Sequence, residues 1–293
     1  MLTITFLGVG GAFAKRNYQS NALIEAWTQS PNAQVEPDDN LLIDFGSTGP
    51  LALHDLKDVD GFEYLNDDGH IRFPSIKRIF ISHQHADHIG GLEELAFANR
   101  FMYASMNGDT GFRPQLISSA DILERLWDHS LKGGLGVLKD KSATLDDYFD
   151  VLALAGDGSK SESFDLLKRY RFSIFSTDHL SIRNKYDWPS LGLFVTDTES
   201  NESAFYSGDT KYDFSAYETM LRQSKMIFHD VQLQDQPDPV HALLSELWNM
   251  PPEIRQKTHL YHYDDSWDDP RFDSVREHFA GFVAPRKRYI IFE

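Results

Sequence analysis

The stretch Ile79-Phe80-Ile81-Ser82-His83-Gln84-His85-Ala86-Asp87-His88-Ile89-Gly90-Gly91 limits this chain more tightly than any other part of it. Three histidines and an aspartate crowd into six residues, directly after an apolar, β-branched run and directly before a Gly-Gly pair. Phe80 and Ile81 read as the end of a buried strand, and Leu92-Glu93-Glu94-Leu95-Ala96-Phe97 begins a helical pattern. The donors therefore lie on a strand-to-helix loop, where an α/β sheet presents chemistry. Neutral imidazoles with a carboxylate form an N/O set that suits zinc or a similar divalent metal. Crowding three imidazoles raises the cost of protonating each, so without a cation the cluster has no structural rationale.

His-x-His-x-Asp-His followed by Gly-Gly resembles the metal-binding signature of the metallo-β-lactamase superfamily. The resemblance implies an α/β fold, the αββα metallo-β-lactamase-type sandwich, with a two-metal site along one edge. It leaves the substrate open.

Composition narrows the partners. The chain has no cysteine, so a metal site must rest on His, Asp and Glu, and no disulfide is available. No apolar run approaches the length of a membrane span. Met1-Leu2-Thr3-Ile4-Thr5-Phe6-Leu7 alternates like a strand rather than a secretion signal, and the expectation is a cytoplasmic protein. With 28 basic residues against 45 acidic ones the net charge is -17. Proteins that bind long nucleic acids neutralise phosphates with Lys and Arg, so long RNA or DNA is disfavoured.

In chain order, a first strand runs into Gly8-Val9-Gly10-Gly11-Ala12-Phe13. Phe13 stands where a dinucleotide fingerprint needs its third glycine, so the expectation is a tight turn near the metal edge. Such a turn is similar to the Phe-Leu-Gly-x-Gly opening of ribonuclease Z-like proteins. Asn21–Trp27 and Leu41–Gly46 complete a meander around a polar loop at 28–40. Asp44 reads either as a prop for the metal loop or as a turn former. Strand 76–81 delivers the loop, and a strand at 114–118 and a helix at 120–131 follow. Residues 132–163 read as an irregular insertion, a lid or an oligomer contact, with a short helix around 145–154. Gly156-Asp157-Gly158-Ser159 closes it. Beyond lie a strand ending at His179, a hairpin over 191–207, a helix at 215–223 and a strand at 225–228. A helix starting near His241, a strand at 258–261, a helix at 272–282 and a strand at 288–292 finish the chain. No repeat or linker breaks it, so one domain over 1–293 is expected.

Ligand-type residues recur at the carboxyl ends of these strands: His83–His88, His179, Asp209, His229-Asp230 and His262. Matched to the superfamily's motifs, the resemblance implies that His83, His85 and His179 hold a first metal. Asp87, His88 and His262 would hold a second, and Asp209 would bridge the two. Two Zn2+ are expected, with Mn2+ or another divalent ion as the alternative. His262, at the strand's end, is preferred to His259 near its start. Asp87, Asp230 and His241 are the expected catalytic residues. His229-Asp230 resembles the His-Glu pair of ribonuclease Z-like phosphodiesterases, which couples to a downstream histidine, here His241, to protonate the leaving oxygen. Asp in place of Glu shortens that reach by one methylene.

Only 29 residues (180–208) separate His179 from Asp209, too few for the basic arm of the transfer-RNA-processing enzymes. The core is similar to the bacteriophage anti-Pycsar proteins and their bacterial relatives. That resemblance implies hydrolysis of 3′,5′-cyclic nucleotide monophosphates by metal-bound hydroxide, a small phosphodiester substrate, and a possible homodimer. A ribonuclease Z-type RNA endonuclease, a thioester, lactone or β-lactam hydrolase, and a metal-stabilised nucleotide-binding protein are the alternatives.

Overall fold

Leu2, Ile4 and Phe6 alternate with Thr3, Thr5 and Leu7, and all six are buried, so the opening strand has two covered faces. In the computed structural model, which describes residues 1–29, 36–67, 69–103, 112–155, 162–182 and 186–293, that strand lies inside one of two seven-stranded sheets. The first sheet takes β1 (Leu2–Gly8), β2 (Asn21–Ala26), β3 (Asp39–Ile43), β4 (Arg78–Phe80), β5 (Gln115–Ser119) and β6 (Asp150–Leu154). The second takes β7 (Ser163–Leu166), β8 (Tyr170–Ser176), β9 (Leu191–Asp197), β10 (Ser203–Tyr206), β11 (Ser224–Asp230), β12 (Thr258–Tyr261) and β13 (Gly281–Phe282). The last strand, β14 (Arg288–Phe292), returns to pair with β1.

Both sheets have the same plan. From β14 through β1 and β2 to β3 the pairing is antiparallel, and from β3 through β4 and β5 to β6 it is parallel. Likewise β7 to β10 pair antiparallel and β10 to β13 parallel. The sheets face each other across aromatic rings: Phe6 of β1 meets Tyr206, Phe228 and Tyr261 at 5.3–6.3 Å, and Tyr170 stacks on Phe292. Helix Ala120–Leu126 packs on β5 and β6, and helix Phe214–Gln223 packs on β10 and β11. This is the metallo-β-lactamase sandwich that the histidine motif implied. The carboxyl ends of the parallel strands, where such sheets open a crevice, come together at one edge.

Five expectations need correction. The helix expected over 272–282 stops at His278, and Gly281–Phe282 is β13. The segment at 145–154 is a single 3-10 turn, Leu145–Asp147, followed by β6 rather than a helix. Val151-Leu152-Ala153-Leu154 is too short for periodicity to separate the two, and the open edge of β5 supplies five ladder positions. His241 precedes its helix, Leu244–Leu247, instead of starting it. Pro237 and Pro239 block an earlier start, and Gln232 occupies the backbone of Ala242 and Leu244 at 2.8 and 2.9 Å. The interval 180–208 holds a second ribbon, Leu180–Ile182 with Tyr186–Trp188, ahead of the β9–β10 hairpin. His229 and Asp230 are the last two residues of β11, not a loop beyond it. Residues 30–35 of the 28–40 loop and the 156–159 glycine segment lie outside the described residues.

Candidate metal centre

Each donor is fixed by backbone before any metal is considered. Short β4 leads through Ser82 into the loop, and helix Ala86–Ile89 carries Asp87 and His88. The turn after β3 braces that helix: Phe45 N–H donates to His88 O at 2.7 Å, and Gly91 N–H to Phe45 O at 2.8 Å. At Gly46 a Cβ would stand 1.8 Å from Asp87 O, so only glycine lets the two turns pack. Gly208 (φ +60) performs the second such task, turning the chain after β10 so that Asp209 enters the site. Asp44 (φ 58) and His262 (φ 65) also adopt left-handed backbone, which is uncommon outside glycine. His262 is held there by its N–H bond to Val9 O, and Gly11 N–H reaches Tyr263 O, so the glycine-rich opening is the tight turn expected beside the site.

The side chains converge as two adjoining groups. His83 Nε2 lies 2.9 Å from His85 Nδ1, which lies 3.2 Å from His179 Nε2. His88 Nε2 lies 3.3 Å from Asp87 Oδ2, and His262 Nε2 lies 3.5 Å from the same oxygen. Asp209 Oδ2 sits between the groups, 3.2 Å from His88 Nε2, 3.4 Å from His262 Nε2 and 3.7 Å from His83 Nε2. His83, His85 and His179 could hold one ion, and Asp87, His88, Asp209 and His262 a second. His259 is elsewhere, packed between Phe228 and Tyr289.

The donor chemistry fits divalent cations. His88 Nε2, His262 Nε2 and Asp209 Oδ1 are buried without a hydrogen-bond partner, a state that costs free energy unless an ion takes the lone pairs. Burial pushes His179 down to about 4 and His83 well below the usual imidazole value, so both stand neutral, as ligands must. Burial opposes ionisation of Asp87 and Asp209, yet His88 and His262 hold both carboxyls well below their usual range. Burial likewise opposes charge on His88, but Asp209, Asp44 and Asp87 raise it well above the ordinary imidazole value. Three carboxylates around one imidazole thus leave surplus negative charge that a divalent cation would also neutralise.

Asp44 contacts the metal loop as well as forming its turn. It accepts from Ser82 N–H at 2.8 Å, from Ser82 Oγ at 2.7 Å and from His88 Nδ1 at 2.8 Å, fixing Nε2 of His88 as the free donor atom. Asp44→Ala is expected to weaken metal binding about 10- to 100-fold, read by competition with a chromophoric chelator. Unchanged affinity would show that Asp44 serves only its turn. His179 is oriented in the same way through Nδ1, which lies 2.8 Å from Val240 O.

Asp230 and His241 also meet. His241 Nδ1 donates to Asp230 Oδ2 at 3.0 Å and lies 3.9 Å from Asp209 Oδ2. Burial lowers the pKa of His241, but the Asp230 bond together with the charges of Asp209 and Asp230 raises it above the ordinary imidazole value. His229 Nδ1 bonds its neighbour's carbonyl and lies 3.3 Å from Asp230 Oδ1, and its ring stacks on Phe205. Several contributors had no readable signal in the sequence. Trp188 stacks on His85 at 5.4 Å, and Ser207 Oγ accepts the Asp230 N–H at 2.9 Å. His179, Asp209 and His241 form a third, overlapping group.

With this geometry in place, comparison with known proteins is informative. The family model described as anti-Pycsar protein Apyc1 matches residues 2–289. An anti-Pycsar protein Apyc1 from Paenibacillus sp. (strain J14) is 34% identical over 288 residues, covering 94% of this chain and 97% of its own. Another, from Bacillus phage vB_BsuM-Goe3, is 33% identical over 281 residues, covering 94% and 95%. Among solved structures, the metallo-β-lactamase fold protein YhfI from Bacillus subtilis superposes with a TM-score of 0.66 at 16% identity, over 98% of each chain. At that identity the likeness speaks for the fold alone.

Proposed function

We propose, because this chain belongs to the anti-Pycsar Apyc1 family, that it is a metal-dependent phosphodiesterase opening 3′,5′-cyclic nucleotide monophosphates at a two-metal site. The observation that carries the reading is the position of Asp209 Oδ2, within 3.7 Å of imidazole nitrogens from both donor groups. A single carboxylate shared in this way suits a pair of cations better than two separate sites. His83, His85 and His179 would hold one, and Asp87, His88 and His262 the other, with Asp209 shared between the two groups. When bound, such a pair supplies Lewis acidity toward phosphoryl oxygens and a water of lowered pKa.

The rest of the work falls to the chain. Asp44 and the Val240 carbonyl keep His88 and His179 in the tautomer that presents Nε2. His241, with Nδ1 committed to Asp230, has Nε2–H available to protonate the departing ribose oxygen as its bond to phosphorus breaks. The one-methylene shortening at Asp230 does not prevent the pairing, because Asp230 sits on the last residue of β11 with Thr210 N–H donating to the same oxygen at 3.2 Å. The acidic balance and the missing basic arm favour a small substrate over RNA.

The deciding experiment incubates zinc-loaded protein with a panel of cyclic mononucleotides and one precursor transfer RNA, with products separated by chromatography. Linear nucleoside monophosphates and intact RNA are expected. Cleaved RNA with untouched cyclic nucleotides would overturn the substrate class, and no product from either would overturn the phosphodiesterase reading.

A further inference from the structure

Phe13 is 90% exposed, yet the turn that carries it is among the better braced in the molecule. Ala14 N–H donates to Gly11 O at 3.0 Å, and the carboxylate of Asp265 accepts from Lys15 N–H at 2.7 Å and Arg16 N–H at 3.0 Å. The same turn is tied to the site through the bond from His262 N–H to Val9 O. The backbone at Phe13 is therefore held at a fixed place relative to His262, and its phenyl ring is left open to solvent.

Phe13 lines a cavity of about 500 Å³ that His241 and His262 also line. Its volume falls within the range of small-ligand clefts, about 300–1,000 Å³. Val231, Leu233 and Val240 give it apolar walls, and the carboxamides of Gln232 and Gln236, joined by a 3.1 Å hydrogen bond, add a polar edge. Among the described residues no Lys or Arg lines it, and its carboxylates are those of Asp264 and Asp265. Such a lining has nothing to pair with a second phosphate. An aromatic face, apolar walls and amide edges match a flat, neutral heterocycle.

We infer that this cavity is the nucleobase subsite, with Phe13 as its stacking face, and that it takes a base bearing no neighbouring phosphate. The inference rests on the phosphodiesterase reading above, since only that reading puts a phosphoryl group beside His262 and His241. Phe13 acts on binding, and it is not one of the metal donors.

The test compares wild type, Phe13→Ala and Phe13→Trp on 3′,5′-cyclic AMP and on the base-free 3′,5′-cyclic phosphate of 1-deoxyribose. Phe13→Ala is expected to raise KM for cyclic AMP roughly tenfold with kcat within about twofold, and Phe13→Trp to restore it. On the base-free substrate the three proteins should differ by no more than about twofold. Equal losses on both substrates, or no loss on either, would overturn the subsite. If wild type hydrolyses neither, the phosphodiesterase reading fails separately. Calorimetric binding of cyclic AMP then decides the subsite alone, through a tenfold weaker Kd in Phe13→Ala or an unchanged one.

Discussion

Asp209→Ala is expected to lower turnover of a cyclic mononucleotide below about one-thousandth of wild type and to leave the purified protein short of metal. The size of the effect follows from its place. Its Oδ2 is the only carboxylate oxygen in contact with imidazoles from both donor groups among the described residues, and its Oδ1 is buried without a partner. Removing it leaves His88 and His262 facing each other across a site with one negative charge fewer, so both of the proposed cations would lose a ligand at once. Asp209→Asn is the sharper companion variant. It keeps the shape and loses the charge, and because Oδ1 makes no hydrogen bond the amide meets no built-in donor to clash with. Metal content by atomic absorption together with initial rates provides the measurement. Normal metal content with full activity in the alanine variant would remove the bridging assignment.

His241→Ala carries the second-largest expectation, and its diagnostic is selectivity rather than size. General acid assistance contributes roughly 10²–10⁴-fold where the leaving group is a poor one, so the loss on a cyclic nucleotide should fall in that range. A p-nitrophenyl phosphodiester departs without needing a proton, and there the loss should stay within about tenfold. Equal losses on both would assign His241 to structure or metal binding instead, the role open to it in the His179–Asp209–His241 group. A pH profile gives an independent reading. Because Asp230 raises the pKa of His241 against the effect of burial, the acid form persists above the ordinary imidazole value, and activity is lost only as pH rises through the raised value. Asp230→Asn removes the charge that holds the proton, so the alkaline limb should move to lower pH. A limb that stays in place would separate the pair.

The site was unusually legible because its donors are carried by short-range patterns. Apolar alternation ends at Ile81, Ser176 and Tyr261, and each time a histidine follows within a few residues. Where patterns were short or mixed, legibility failed. Val151–Leu154 offered too few residues to separate strand from helix, and the free edge of Gln115–Ser119 made the choice. His241 lies in the bend after Pro237 and Pro239, ahead of helix Leu244–Leu247, and there its Nδ1 meets Asp230. Trp188 could not have been assigned to His85 from spacing, because the ribbon that presents it pairs only with itself.

By itself the sequence determined the kind of chemistry: imidazoles and carboxylates without cysteine, placed where strands stop, on a chain whose acidic balance disfavours long nucleic acid. It also determined which residue of each strand end would carry a donor, since alternation and turn formation depend only on neighbours. Tertiary structure alone decided which donors meet. His85 and His179 are 94 residues apart in the chain and 3.2 Å apart in space, and Phe13 depends on a carboxylate some 250 residues away at Asp265. Such meetings are set by how two sheets pack across Phe6, Tyr206, Phe228 and Tyr261. Burial of those rings is a property of the whole core, and no local window of residues contains it.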